Sequence, residues 1–335
     1  MVNDTIIIGG GPAGLKAASS LNSLGHKVTI IEKTEVLGGQ IRNWYKLFPD
    51  FSDSFSVVSN LTNLSSDISI NLNSTVLDVE REDGHFNLLL SNNKRLKGKS
   101  ILLTTGFSLY DASKKEEYGY GFYKGVLTNK DLEHNFINNP KFIDIDNPTV
   151  VFIHCVGSRD HKAGNMHCSK VCCVTAVKQA IEIKQFYPKA NVYCFYMDLR
   201  MFGRGYEDLY LKAQSEYNIK FIRGRVSEIS ETFENKIVIK AEDTLSSKPI
   251  KLTSDYAILM SGIVPTKENF PLFNKLSVSI NSSDGFSNEP SFNNLLNLKT
   301  EGVFTAGCIN GPKTIPEVLT ESDSVALSIH SFLSR

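Results

Sequence analysis

The stretch "TIIIGGGPAGLKAASSLNSLGHKVTIIEK", Thr5 to Lys33, decides the fold. Ile6, Ile7 and Ile8 form a short unbroken apolar run, as a strand buried in a parallel sheet requires. Gly9, Gly11 and Gly14 then fit G-x-G-x-x-G. The small residues that follow predict a helix over Ala13–Leu24, and Val28–Ile31 reads as a second strand ending at Glu32. In a dinucleotide turn Gly9 permits the tight bend, Gly11 lets backbone approach a pyrophosphate, and Gly14 lets helix and strand pack closely. Pro12 and Ala13 open the helix, whose free N–H groups and dipole favour phosphate. Glu32 stands 18 residues after Gly14, with Lys33 beside it, and is placed to accept from ribose hydroxyls. A glycine-rich turn in an unrelated α/β protein would not require an acid at that distance. The motif alone does not separate FAD from NAD.

Later segments favour FAD. "VLGGQI" (Val36 to Ile41, with Gly38, Gly39 and Gln40) resembles the second glycine turn of two-dinucleotide flavoproteins. "ILLTTGF", with Thr105 and Gly106, resembles the strand that returns the chain to their FAD site. "GVFTAGC", Gly302 to Cys308, resembles their late strand and turn, with Gly307 in place and Cys308 where an Asp is usual. The segment Ile68–Leu90 alternates like a small antiparallel lobe, and Val76 within it is assigned to the cofactor site. These signals lie at both ends of the chain. The expectation is an α/β protein of two Rossmann-like dinucleotide-binding domains, of the FAD-dependent disulfide and thioredoxin reductase type. The second is inserted in the first: residues 1–146 and 263–335 bind FAD, and residues 147–262 form the insert. Its predicted elements alternate as strand Val150–His154, helix Ser169–Phe186, strand Asn191–Met197, helix Tyr206–Tyr217 and strand Ile219–Arg223, a doubly wound pattern.

The chain has 335 residues, enough for two cores. Lys+Arg and Asp+Glu balance at 36 each, which argues against a nucleic-acid surface. No apolar run reaches the roughly 18–20 residues of a transmembrane segment, and "MVNDTIIIGG" enters a strand without a secretory pattern. A cytoplasmic location is expected, where clustered thiols point to metal or redox chemistry rather than a disulfide framework.

Four of the six cysteines fall within "CVGSRDHKAGNMHCSKVCC": Cys155, Cys168, Cys172 and Cys173. In a two-dinucleotide reductase the strand before Cys155 should end in a second glycine fingerprint for NAD(P)H. It ends in thiols instead. The spacing is neither the paired C-x2-4-C of structural zinc, nor a ferredoxin run, nor a C-x-x-C dithiol. Thiolates suit both zinc and iron–sulfur clusters, so the residues leave that choice open. Cys194, inside a strand, reads as core.

The segments "LGGQIRNWYKLFPDF", "TTGFSLYDASKKEEYGYG", "IHCVGSRDHKAGNMHCSKVCC", "YCFYMDLRMFGRGYEDLYLKAQSE" and "EGVFTAGCINGPKTIPE" resemble the A-subunit family of heterodisulfide reductase. The resemblance implies FAD and a [4Fe-4S] cluster on Cys155, Cys168, Cys172 and Cys173, tolerance of Cys308, other heterodisulfide-reductase-like subunits as partners, and a homodimer. The chain starts at the FAD strand and carries no ferredoxin run. It is therefore similar to the short form found in sulfur-oxidising complexes, a flavin and iron–sulfur electron-transfer subunit. Related short subunits occur in a quinone-interacting oxidoreductase. Lys313, Glu317 and Arg159 are candidate tuners of flavin or cluster, against the plainer reading of surface ion pairs. Arg200, Arg204 and Tyr206 read as structural or partner-docking. Competing readings are an NAD(P)H-dependent thioredoxin-reductase-like enzyme and a flavin-bearing module with structural zinc.

Overall fold

The apolar run at Ile6–Ile8 is the end of strand β1, Val2–Ile8, and the helix after its glycine turn is α1, Pro12–Ser23. A computed structural model describes residues 2–287 and 300–335. The chain forms two compact units. The first comprises residues 1–42, 55–108 and 264–335, and the second residues 43–54 and 109–263.

In the first unit β2 (Val28–Ile31) lies parallel to β1, with Thr5 opposite Val28 and Ile8 opposite Ile31. β3 (Ser69–Asn71) extends the parallel sheet from β2. Sequence alternation alone puts this strand in an antiparallel lobe. Its three residues are too few for a period to show, so pairing with β2 decides its place. β4 (Val76–Glu82) and β5 (His85–Leu90) do form the antiparallel part. β6 (Arg95–Leu103) joins both: its first half pairs antiparallel with β5, its second half parallel with β1. The strand Val303–Thr305 then pairs parallel with the end of β6, Val303 opposite Ile101. Apolar faces of β1, α1 and the C-terminal helix Ile315–Leu333 close over one core that includes Ile7, Leu15, Leu102 and Ile329, all without exposure.

The second unit holds a parallel sheet of five strands in the order β7 (Val126–Thr128), β14 (Tyr256–Ser261), β8 (Thr149–Val156), β9 (Asn191–Tyr196) and β10 (Lys220–Arg223). A separate antiparallel sheet contains β11 (Val226–Glu231), β12 (Ile237–Asp243) and β13 (Lys248–Ser254). The change of unit falls at Leu109, not at the expected residue 147. β7 and α2 (Asn129–Asn138) join the second sheet, and "VLT" is too short to announce itself as a strand. Residues 43–54 belong there too.

Helix α3, Cys172–Phe186, starts three residues later than Ser169, so Cys168 precedes it. Its buried face carries charge. The Lys178 amine meets the Glu133 carboxylate at 2.5 Å, Glu182 at 3.1 Å and the carbonyl of Lys46 at 2.9 Å. Burial draws Lys178 down, but the two carboxylates more than reverse it. Burial pushes Glu182 up to about 8. Among the described residues no helix is long and apolar enough to cross a membrane.

Candidate cofactor and thiol sites

The glycine turn after β1 is held by contacts that a side chain would break. A Cβ on Gly9 would meet the Thr104 carbonyl, and one on Gly14 would run into the Gly9 carbonyl oxygen. The Thr104 hydroxyl donates to that same oxygen at 2.8 Å, tying the end of β6 to the turn. Gly11 and Gly39 face each other, 3.9 Å from where a Gly11 Cβ would stand to the Gly39 Cα. The Gly38 amide donates to the Gly10 carbonyl at 2.8 Å. The two glycine turns thus make one backbone-lined cradle. Gly11 caps α1 without a side-chain acceptor and Pro12 opens it, leaving first-turn N–H groups for an anion.

Glu32 is buried. Its Oε2 accepts from the Gly10 amide at 2.8 Å, and its Oε1 from the Thr34 amide and hydroxyl, each at 2.9 Å. An ionised carboxylate has about four acceptor positions, so ribose contact would use what remains. Gly10 and Thr34 are partners that motif spacing does not announce. Thr105 lies beside the turn with a buried hydroxyl that finds no partner among the described residues, and Gly106 follows it. An orphaned hydroxyl, an uncapped helix start and a side-chain-free cradle fit a dinucleotide phosphate.

At the late turn, a Cβ on Gly307 would press on the Cβ of Ala13, so this turn packs directly on α1. The Gly307 amide donates to Glu321 Oε2 at 2.7 Å, and Asn310 donates to Glu321 Oε1 at 3.1 Å. Lys313 pairs with Glu321 at 3.1 Å and reaches the Gly307 carbonyl at 3.4 Å. Glu321 escapes sequence reasoning; it lies 14 residues beyond Gly307 on the C-terminal helix, outside any motif. Glu317 is the acid of a capping box with Thr314, a structural task that the T-x-x-E spacing could have signalled. Cys308 is buried, its thiol pushed up by burial, with its sulfur 3.8 Å from the Lys313 carbonyl. A neutral thiol therefore stands where an acid is usual. Lys33 is exposed, Gln40 lies in the short turn Gly39–Asn43, and Val76 packs beside the cluster of Ile8 and Leu90.

The thiol segment occupies the matching place in the second unit, at the end of β8. The backbone there is unusual: Cys155, Arg159 and Lys170 hold φ of 60°, 51° and 59°, where side-chain-bearing residues are uncommon. Cys172 and Cys173 start α3, and no side chain caps that helix. Cys155, Cys172 and Cys173 are buried and share hydrogen bonds. Cys172 bonds to both neighbours, which lowers Cys155 and Cys173 and raises Cys172 itself. The His154 imidazole also lowers Cys173. Cys168 accepts from the Lys170 amide at 3.3 Å. Arg159 pairs with Asp198 at 2.7 Å, within electrostatic reach of Cys155 and Cys168. Cys173 reaches the Asp198 carbonyl at 3.7 Å, so the loop with exposed Arg200 and Arg204 covers it. Tyr206 stacks edge-on against Phe48, a packing role.

Among the described residues no group of three or more His, Cys, Asp or Glu side chains is arranged to hold a metal ion. The thiols close on one another instead. Yet Ser158 Oγ, one Arg159 guanidinium nitrogen and both His154 ring nitrogens are buried without an aligned hydrogen-bond partner. His154 beside Cys173 and Arg159 near Cys155 and Cys168 suit a cluster, whose sulfides accept hydrogen bonds. The donor set thus fits a thiolate-held group.

Residues 3–136 match the family described as pyridine nucleotide-disulphide oxidoreductase. The chain is 40% identical over 247 residues to iron-sulfur A-subunit 1 of the CoB--CoM heterodisulfide reductase of Methanopyrus kandleri, covering 69% of this chain and 37% of that protein. It is 29% identical to the corresponding A-subunit of Methanocaldococcus jannaschii, covering 97% of this chain and 63% of that one. The chain thus spans between about a third and two thirds of these relatives' length. Among solved structures, Lactococcus lactis thioredoxin reductase matches with a TM-score of 0.69 at 18% identity, covering 99% of each chain. That match shows an FAD-dependent disulfide oxidoreductase fold.

Proposed function

The chain belongs to the A-subunit family of heterodisulfide reductase, a family of oxidoreductases, and we propose that it is an FAD- and [4Fe-4S]-bearing electron-transfer subunit of a heterodisulfide-reductase-like complex. The cluster would be held by Cys155, Cys168, Cys172 and Cys173. The observation that carries this reading is the exchange of a glycine turn for three free thiols joined by hydrogen bonds through Cys172 at the end of β8. Flavin passes electrons singly or in pairs and a cluster passes them singly, so the two together can link two-electron to one-electron carriers.

The chain's own residues would set the terms of that exchange. Gly9, Gly11, Gly14, Gly38, Gly39, Thr105, Gly106 and Gly307 would line the dinucleotide, and Glu32 would orient its ribose. Cys308 supplies no charge beside the late turn, while the Lys313–Glu321 pair fixes that turn. Arg159 would supply positive charge near Cys155 and Cys168, and His154 a hydrogen bond to Cys173. Substrate chemistry in sulfur or disulfide metabolism would belong to partner subunits, with a cytoplasmic homodimer as the unit that docks them. A quinone-linked assembly is the related alternative.

The fold also supports a second reading, an NAD(P)H-dependent thioredoxin-reductase-like flavoenzyme. Anaerobic purification followed by iron and zinc analysis, visible spectra and EPR after dithionite separates the readings. About four irons per chain, with an EPR signal lost in Cys172→Ala while flavin is retained, are the expected result. Zinc, or no metal after reconstitution, removes the cluster. Rapid flavin reduction by NADPH alone supports the second reading.

A further inference from the structure

We propose that the second unit binds a small oxyanion in the cavity lined by Tyr110, Lys114, Lys115, Glu117, Lys162 and Ser227. The cavity measures about 320 Å³, within the range of small-molecule sites. Three lysines and one glutamate line it. Lys115 is buried and already committed, to Asp160 at 2.6 Å and Glu117 at 3.1 Å. Asp160 is in turn held by Arg225 at 2.7 Å. Among the described residues the Lys114 and Lys162 amines make no hydrogen bond or close ion pair, and act only at longer range on Asp111 and Glu117 respectively. The Ser227 hydroxyl donates away, to the Lys240 carbonyl. The donors left for a ligand are therefore two ammonium groups and the Tyr110 hydroxyl. That set selects the carboxylate or phosphate end of a small acidic molecule, or the free ion, and rejects a cation.

The site is tied to the cysteine segment. Lys162 and Ala163 form the tip of a turn bridged by Asp160 and Asn165, between Cys155 and Cys168. Gly157, two residues after Cys155, lies against the Tyr110 ring so closely that a Cβ would enter it. An anion seated on Lys162 thus bears on the backbone that positions Cys155.

The test is calorimetric titration of the purified full chain at fixed ionic strength with inorganic phosphate and, separately, with 3-phosphoglycerate. Saturable binding is expected. Lys114→Ala and Lys162→Ala should each weaken it about tenfold, as loss of one charge-assisted contact implies. Lys189→Ala, whose lysine pairs with Asp146 on an exposed face, should leave it unchanged. Tighter binding of 3-phosphoglycerate assigns the site to a larger acidic molecule, and equal binding to the free ion. No saturable binding of either probe, or undiminished binding in both lysine variants, overturns the proposal. Binding is read on the chain itself, so the result is independent of what the cysteines hold.

Discussion

The ends of β1 and β8 occupy the same position in two parallel sheets, yet one carries glycines and the other thiols. At β1 the side chains have been removed so that backbone N–H groups can meet a ligand. At β8 the side chains are kept: thiols stand where the glycines would be, and the backbone bends around them. The first solution places Gly9, Gly11 and Gly14 where any Cβ would collide or fill the cradle. The second accepts positive φ at Cys155, Arg159 and Lys170, a cost that glycine would have avoided. One topological position therefore carries two different side-chain sets, and the fold alone does not say which.

That contrast can be broken most severely at Gly14. A valine there meets the Gly9 carbonyl, and we expect Gly14→Val to purify without flavin, read from the visible spectrum, while its iron content stays unchanged. Loss of iron as well would mean that the two turns do not act independently. The next largest effect should come from Lys178→Met, which leaves the Glu133 carboxylate buried without its cation. Breaking such a pair costs about 3–5 kcal/mol, measured as a lower denaturation midpoint. Glu32→Gln should weaken flavin retention about tenfold, because a charge-assisted acceptor for Gly10 and Thr34 is lost; unchanged retention would show that Glu32 serves only the packing. The smallest effect is a pH dependence. Glu182 is raised on folding, so the native state binds the extra proton. Its stability contribution is present at acid pH and is lost as pH climbs from about 4.5 towards 8. Glu182→Gln should flatten that decline, raising Tm by a few degrees at pH 8 and not at pH 5.

The turn at β1 was legible because its demands are steric and local: strand, glycines, helix and acid follow one another within Thr5–Lys33. The thiol group was legible as a cluster of cysteines, but not as geometry. Its arrangement depends on Val171 as the uncapped helix start, which sets α3 at Cys172. The entry of β7 and α2 into the second unit was hidden, since three residues carry no period. Glu321 was hidden for another reason. It gathers the Gly307 amide, Asn310 and Lys313 from a turn 8–14 residues earlier, and neither a backbone donor nor that spacing forms a motif the sequence would announce. Lys178 and Glu182 look in sequence like an ordinary i,i+4 surface pair, and only the packing of residues 43–54 and α2 over them makes them interior.

Strand β6 sets an order of assembly. Its end pairs with Val303–Thr305, a partner about 200 residues later in the chain. At translation rates of about 5–20 residues per second, that partner emerges on the order of 10–40 seconds after Ile101, Leu102 and Leu103. Throughout that interval an apolar strand edge stands unpaired on the ribosome, the kind of edge that templates aggregation. The whole of residues 109–263 is made in between and can fold first. Co-produced chaperone should therefore raise the soluble yield of the chain.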